Sequence, residues 1–78
     1  MQIKILGSGC SNCVKLAKNT QEALDKLGRQ ADIIKVTDFK DIAAYGVMAT
    51  PALVIDEQVV SYGKVLKPSA IQELIEKL

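Results

Sequence analysis

The chain has 78 residues, 49% of them apolar and 24% charged, with Gly 5 and Pro 2. One domain fills that length, residues 1–78, and the composition excludes a disordered tail, a collagen-like repeat and a linker. Lys+Arg 10 against Asp+Glu 9 gives a net charge of +1, too little basic excess for a nucleic-acid partner, and His 0 removes the commonest general base and nitrogen ligand.

Gln2–Leu6 is a β-rich run closed by Gly7-Ser8-Gly9, which reads as strand then turn. From Cys13 the apolar spacing becomes helical: Leu16, Ala17, Thr20, Leu24 and Leu27 follow at three and four residues, with Lys15, Lys18, Glu22, Asp25 and Lys26 on the other face. Gly28 suits the C′ position of that helix, and Lys26 suits its last turn. Ala31–Val36 is a second strand. Asp38 is placed to cap a short helix in which Phe39, Ile42 and Ala43 face inward before Gly46 stops it. Ala52–Ile55 and Val59–Tyr62 are strands joined at Asp56-Glu57, although Glu is a poor turn residue there. The last helix starts at Lys67-Pro68-Ser69. Either Pro68 is its first residue or Ser69 caps it with Gln72 three residues on, and its buried stripe is Ala70, Ile71, Leu74, Ile75 and Leu78.

The order is β-α-β-α-β-β-α, an α/β fold with a mixed four-stranded sheet flanked by helices. Strands separated by helices are expected to run parallel through crossovers, and the last two strands to form an antiparallel hairpin. The apolar runs Val47–Ala49 and Ala52–Ile55 fall far short of the ~20 residues that span a bilayer, so no membrane association is expected. Met1 is followed at once by Ile3–Leu6, which leaves no room for a leader, and a cytoplasmic location is the expectation.

Both cysteines lie in Cys10-Ser11-Asn12-Cys13. Two thiols cannot staple a miniature fold or close a four-ligand zinc site, and a bridge between them closes a very short loop. Their role is therefore chemical. They fall where the first strand hands over to the first helix, and helix N-termini favour negative charge on a neighbouring sulfur. Gly7 and Gly9 let the chain reach the helix start without crowding the sulfur, while Lys15 and Lys18 add solvated positive charge. The expectation is an asymmetric pair. Cys10, on the loop side, is exposed, acidified and the attacking thiol; Cys13, in the helical stripe, is shielded and resolves the mixed disulfide. The bland alternative is two small buried apolar residues.

Thr50-Pro51 precedes the Ala52–Ile55 strand. Proline is permitted at a strand's first position, and since only about 5–6% of X–Pro bonds are cis, residue physics alone says trans.

With Cys10-Ser-Asn-Cys13 after the first strand and Thr50-Pro51 before the hairpin, the chain resembles the thioredoxin-like proteins. More narrowly, it is similar to the small, glutaredoxin-sized redox-active disulfide proteins of bacteria and archaea, over essentially its whole length. The resemblance implies a thioredoxin-like fold and a thiol–disulfide oxidoreductase that needs no cofactor or metal and acts on disulfide-containing protein substrates. It makes Cys10 the attacking and Cys13 the resolving cysteine, and Pro51 the family's cis-proline beside the disulfide. The Thr50 backbone then pairs with an extended substrate strand. Ala49 joins Thr50 and Pro51 as a candidate substrate-binding position. Met48 and Ala49 together offer an apolar lip around the disulfide, with core or loop packing the favoured reading.

The departures from the family are specific. Thioredoxin has Trp before its first cysteine and Gly-Pro between the two, where this chain has Gly9 and Ser11-Asn12. Lys4 stands where a buried acid is usual, so proton transfer from Cys13 is expected to use water. Gly63-Lys64-Val65 lacks the glutathione-holding stretch of glutaredoxins, which favours a flavin-dependent thioredoxin reductase-type donor over glutathione. A monomer is expected. Phe39 reads as core, Tyr45 and Tyr62 as amphipathic residues at element ends, and the charged residues as solvated faces.

The main rival is a soft-metal carrier holding Cu(I) with the same two thiolates. Copper-chaperone domains, however, run β-α-β-β-α-β and end in a strand. A third reading is a dimer sharing an Fe–S cluster through Cys10 of each chain.

Overall fold

A computed structural model of the chain, which describes residues 1–9 and 11–77, places seven elements in the expected order. They are β1 (Gln2–Leu6), α1 (Ser11–Leu27), β2 (Asp32–Val36), α2 (Phe39–Ala44), β3 (Ala52–Ile55), β4 (Gln58–Tyr62) and α3 (Pro68–Glu76). The strands form one sheet in the order β2-β1-β3-β4. β1 runs parallel to β2 and antiparallel to β3, and β3 pairs antiparallel with β4.

The direction of β3 corrects the expectation that every helix-separated strand runs parallel. A five-residue strand such as β2 spans about 17 Å, whereas the six residues of α2 rise only about 9 Å. So short a helix cannot carry the chain back to the end of the sheet where β2 began. β3 therefore starts where β2 finished and returns the other way on the far side of β1.

Period-two alternation divides the core between the two sheet faces. Ile3, Ile5, Leu53 and Ile55 pack with Leu16, Ala23 and Leu24 of α1 and Ile71 and Ile75 of α3. Leu6, Ala52 and Val54 point the opposite way and meet Ile42 of α2. Burying each Leu or Ile side chain contributes roughly 1.5–3 kcal/mol before chain entropy is counted. Thr20 enters the apolar stripe of α1 because its hydroxyl donates to the Leu16 carbonyl at 2.8 Å. α1 stops at Gly28 (φ 66°), where Gly28 N–H reaches Asp25 O (3.2 Å) and Arg29 N–H reaches Leu24 O (3.0 Å). That bond pair is a Schellman termination.

Asp38 caps α2, accepting from the Lys40 N–H at 2.9 Å. Only Ile42 of that helix is buried; Ala43 is exposed and Phe39 is 75% exposed, which corrects the inward placement of both. A helix of fewer than two turns presents a single position squarely to the sheet, and Ile42 takes it. At the other hairpin, Asp56 (φ 49°) and Glu57 (φ 68°) both take the left-handed conformation of a type I′ turn. Asp56 is fastened to β1 twice: its carboxylate accepts from Gln2 N–H (2.9 Å), and its own N–H reaches Gln2 O (2.8 Å). α3 resolves the two starting alternatives. Pro68 is its first residue, Lys67 occupies the N-cap without a side-chain bond, and Ser69 does not cap. Leu78, the last residue of the expected stripe, lies outside the described residues.

Candidate active site at the head of α1

α1 opens at Ser11, directly after Cys10 in the chain; Cys10 itself lies outside the described residues. The first turn of α1 contains no acidic residue, so nothing there offsets the positive end of the helix dipole. Cys13 is only 5% exposed, as its place in the helical stripe requires, whereas Ser11 and Asn12 are exposed.

β1 delivers Gly7 opposite Cys13. Gly7 follows Ile3 and Ile5 on the sheet face that meets α1, and its N–H bonds Val36 O at 2.9 Å. A methyl group on Gly7 would collide with Cys13 Sγ while standing 3.4 Å from Cys13 Cβ and 3.8 Å from Thr50 Cβ. Three segments distant in sequence therefore meet at one point: the end of β1, the first turn of α1, and the Thr50-Pro51 step.

The Thr50–Pro51 peptide bond is cis. This overrides the trans expectation of residue physics and matches what the resemblance implied. Pro51 is buried at the entry to β3, and its carbonyl accepts from Gly63 N–H at 2.9 Å, which ties the step to the end of β4. Ala49 and Thr50 are exposed, and Met48 is 94% exposed, which corrects the expectation that Met48 packs into the core or a loop. It belongs to the irregular segment between Gly46 and Pro51, in which Val47 packs against the Leu6–Ile42 side of the core and Met48 turns outward. Gly63 is needed opposite this segment: its φ is 74°, and a Cβ there would come within 3.1 Å of Ala49 Cβ.

Three residues near Cys13 escape a reading of the sequence. Val14, Lys35 and Thr37 join Ile5, Gly7, Gly9 and Cys13 around a small cavity of about 30 Å³. The signal for Lys35 is its register: it pairs with Ile5 in the β1–β2 ladder, two residues before Gly7. Lys15 and Lys18 are exposed, as expected.

Lys4, by contrast, is not a solvated charge and is not near Cys13. It points to the α2 side of the sheet, where its ammonium donates to Tyr45 Oη (2.7 Å) and to Glu57 Oε1 (2.5 Å). The Glu57 bond, then the Tyr45 bond, push the Lys4 pKa up to about 12, and the same Lys4 bond holds the Glu57 carboxyl below its ordinary value. These three side chains line an open groove of about 570 Å³, larger than the cavity at Cys13 but on the opposite sheet face. Within it Lys4, Tyr45 and Glu57 are satisfied by one another.

A sheet of this order, a helix headed by a C-x-x-C sequence and a cis-proline at the entry to β3 define the thioredoxin-like class of redox proteins. The family model described as "Thioredoxin domain" matches residues 1–76, and the chain belongs to that family. It is 35% identical over 75 residues to a thioredoxin of Methanothermobacter thermautotrophicus, covering 96% of this chain and 97% of the relative. It is 40% identical over 76 residues to a thioredoxin of Methanocaldococcus jannaschii, covering 97% of this chain and 84% of the relative. The protein is thus a thioredoxin-like redox protein, a thiol–disulfide oxidoreductase in general terms.

Proposed function

We propose that Cys10 and Cys13 form a dithiol/disulfide centre that reduces protein disulfides. The Cys10 thiolate attacks a substrate disulfide: a Cys10–substrate bond forms, the substrate S–S bond breaks, and the departing thiolate takes a proton. Cys13 then attacks Cys10 of the mixed disulfide, closing the Cys10–Cys13 bond and expelling the second substrate thiolate, which is protonated in turn. Two electrons pass from the dithiol to the substrate. A helix N-terminus lowers the pKa of a nearby thiol, whereas a buried apolar setting raises it, which fits attack to Cys10 and resolution to Cys13.

The observation that carries this reading is the meeting of Cys13 with Gly7 and Thr50. It supports a resolving role for Cys13 next to an exposed segment, Ala49-Thr50, that leads into buried Pro51. An extended substrate strand pairs with the Thr50 backbone, with Ala49 and Pro51 on either side. We assign no cofactor or metal to this cycle. The oxidised pair is recharged by a flavin-dependent, thioredoxin reductase-type donor rather than glutathione, and the protein works as a cytoplasmic monomer. The copper-carrier reading gains nothing from the fold, in which α2 separates β2 from β3 where the copper-chaperone order runs from strand to strand.

The test is substitution at each sulfur. Cys10→Ser abolishes insulin-type disulfide reduction, and Cys13→Ser accumulates a covalent adduct with substrate. Sustained turnover by Cys10→Ser overturns the assignment. NADPH-coupled reduction, run separately with a flavin reductase and with glutathione, identifies the donor.

A further inference from the structure

The overall charge of +1 conceals an uneven distribution. Lys35 lines the cavity that holds the Cys13 sulfur. Lys64 follows Gly63, which bonds the Pro51 carbonyl and faces Ala49. Lys15 lies two residues beyond Cys13 on α1. All three are exposed, and the ion pairs among the described residues, Lys4–Glu57 and Lys26–Glu22, use none of them. Of the acids on this side, Asp38 caps α2, Asp41 lines the groove on the other sheet face, and Glu73 of α3 shares a surface groove with Lys64. Asp32, Asp56 and Glu57 stand at the opposite end of the strands, where β1 and β2 begin and β3 turns into β4. The exposed residues around these lysines are mixed, with Val14 (53% exposed) and Met48 standing beside the uncharged polar Ser11, Asn12 and Thr50.

We propose that this end of the molecule is a docking surface for acidic protein partners, and that the preferred substrates carry a cystine flanked by Asp or Glu. The inference rests on the disulfide-reductase reading above and specifies its substrate class. Exposed lysines that enter no ion pair among the described residues meet a partner whose disulfide carries an acidic rim. The exposed charges act mainly on encounter, raising the association rate and selecting against basic partners. Their reach is about 10 Å at 0.1 M salt and 3 Å at 1 M, so the preference is a low-salt effect.

Two cystine peptides of equal length, one flanked by Glu and one by Lys, test it as substrates for the full chain. At low ionic strength the Glu peptide is reduced roughly three- to tenfold faster, and the two rates converge near 1 M salt. In Lys35→Glu/Lys64→Glu the order of the peptides inverts; the ratio within one variant is independent of any change in thiol reactivity. If that variant does not fold, the salt dependence of the unaltered protein decides alone. Equal rates at low salt overturn the docking surface and leave disulfide reduction standing, as does a preference that persists at 1 M. If neither peptide is reduced at any salt, and both thiols stay untouched by an excess of cystine, the underlying reading fails as well.

Discussion

Gly7 and Cys13 face each other across the junction of β1 and α1 so closely that a single methyl group on Gly7 would occupy the place of the sulfur. The neighbouring Gly9 has no such neighbour; its glycine is required only by a backbone φ of 86°. Two glycines in one short turn thus answer different demands, one of space and one of conformation. Gly7→Ala is expected to cost about 1–3 kcal/mol through overpacking and to displace the Cys13 side chain, lowering the rate of disulfide reduction. Gly9→Ala costs about 1–2 kcal/mol from the backbone alone. Urea unfolding and reductase kinetics on both variants separate the effects; equal loss of rate per unit of stability in the two would deny Gly7 its spatial role.

The Lys4–Glu57 pair makes a prediction with two edges. The folded-state pKa of Lys4 is raised to about 12 from 10.5, so its contribution is complete below 10.5 and disappears as pH rises through about 12. The Glu57 value is lowered from 4.5, so its contribution is complete above 4.5 and disappears as pH falls through the lower folded value. The stability difference between the unaltered protein and Lys4→Met is therefore flat between about pH 4.5 and 10.5 and shrinks on both sides. A difference that varies steadily with pH across that plateau, measured by denaturant unfolding, would show that the pair is not what Lys4 contributes.

Ser61 on β4 is buried opposite Leu53, and its hydroxyl has no hydrogen-bond partner among the described residues. A buried unsatisfied hydroxyl carries its desolvation cost without return, so Ser61→Ala is expected to raise stability by about 1 kcal/mol. Thermal unfolding checks this. A loss of similar size would mean that an ordered water holds the hydroxyl.

The exposure of Phe39 separates two neighbours that look alike in sequence. Ile42→Ala should cost about 2–4 kcal/mol, because Ile42 is the one buried residue of α2. Phe39→Ser should change stability by no more than about 0.5 kcal/mol. A large loss from Phe39→Ser would place that ring in the core after all.

These cases mark how far the chain can be read without coordinates. The element order is legible because hydrophobic spacing switches cleanly between two and three-to-four residues, and because Gly28 and Asp38 sit at helix ends where their backbone chemistry is needed. What resists is set by distance rather than by pattern. The direction of β3 follows from the length of α2, which decides where the returning strand can start. Phe39 looks like core because aromatic rings usually are, yet a six-residue helix has one inward position and Ile42 fills it. Part of the site is legible too: the Cys10/Cys13 spacing and Thr50-Pro51 are local sequence. Lys35 joins the cavity beside Cys13 only through strand register, and Lys4 finds Tyr45 and Glu57 only once three remote segments have been brought together.

The central claim is that Cys10 and Cys13 exchange two electrons with other molecules by opening and closing one bond between them. Alkylation followed by mass spectrometry measures this directly. After reduction both thiols should be labelled; after one equivalent of protein disulfide neither should be, with matching substrate thiols released, and a second reduction should restore both labels. Two thiols that stay alkylatable throughout, while the substrate disulfide remains intact, would contradict the account.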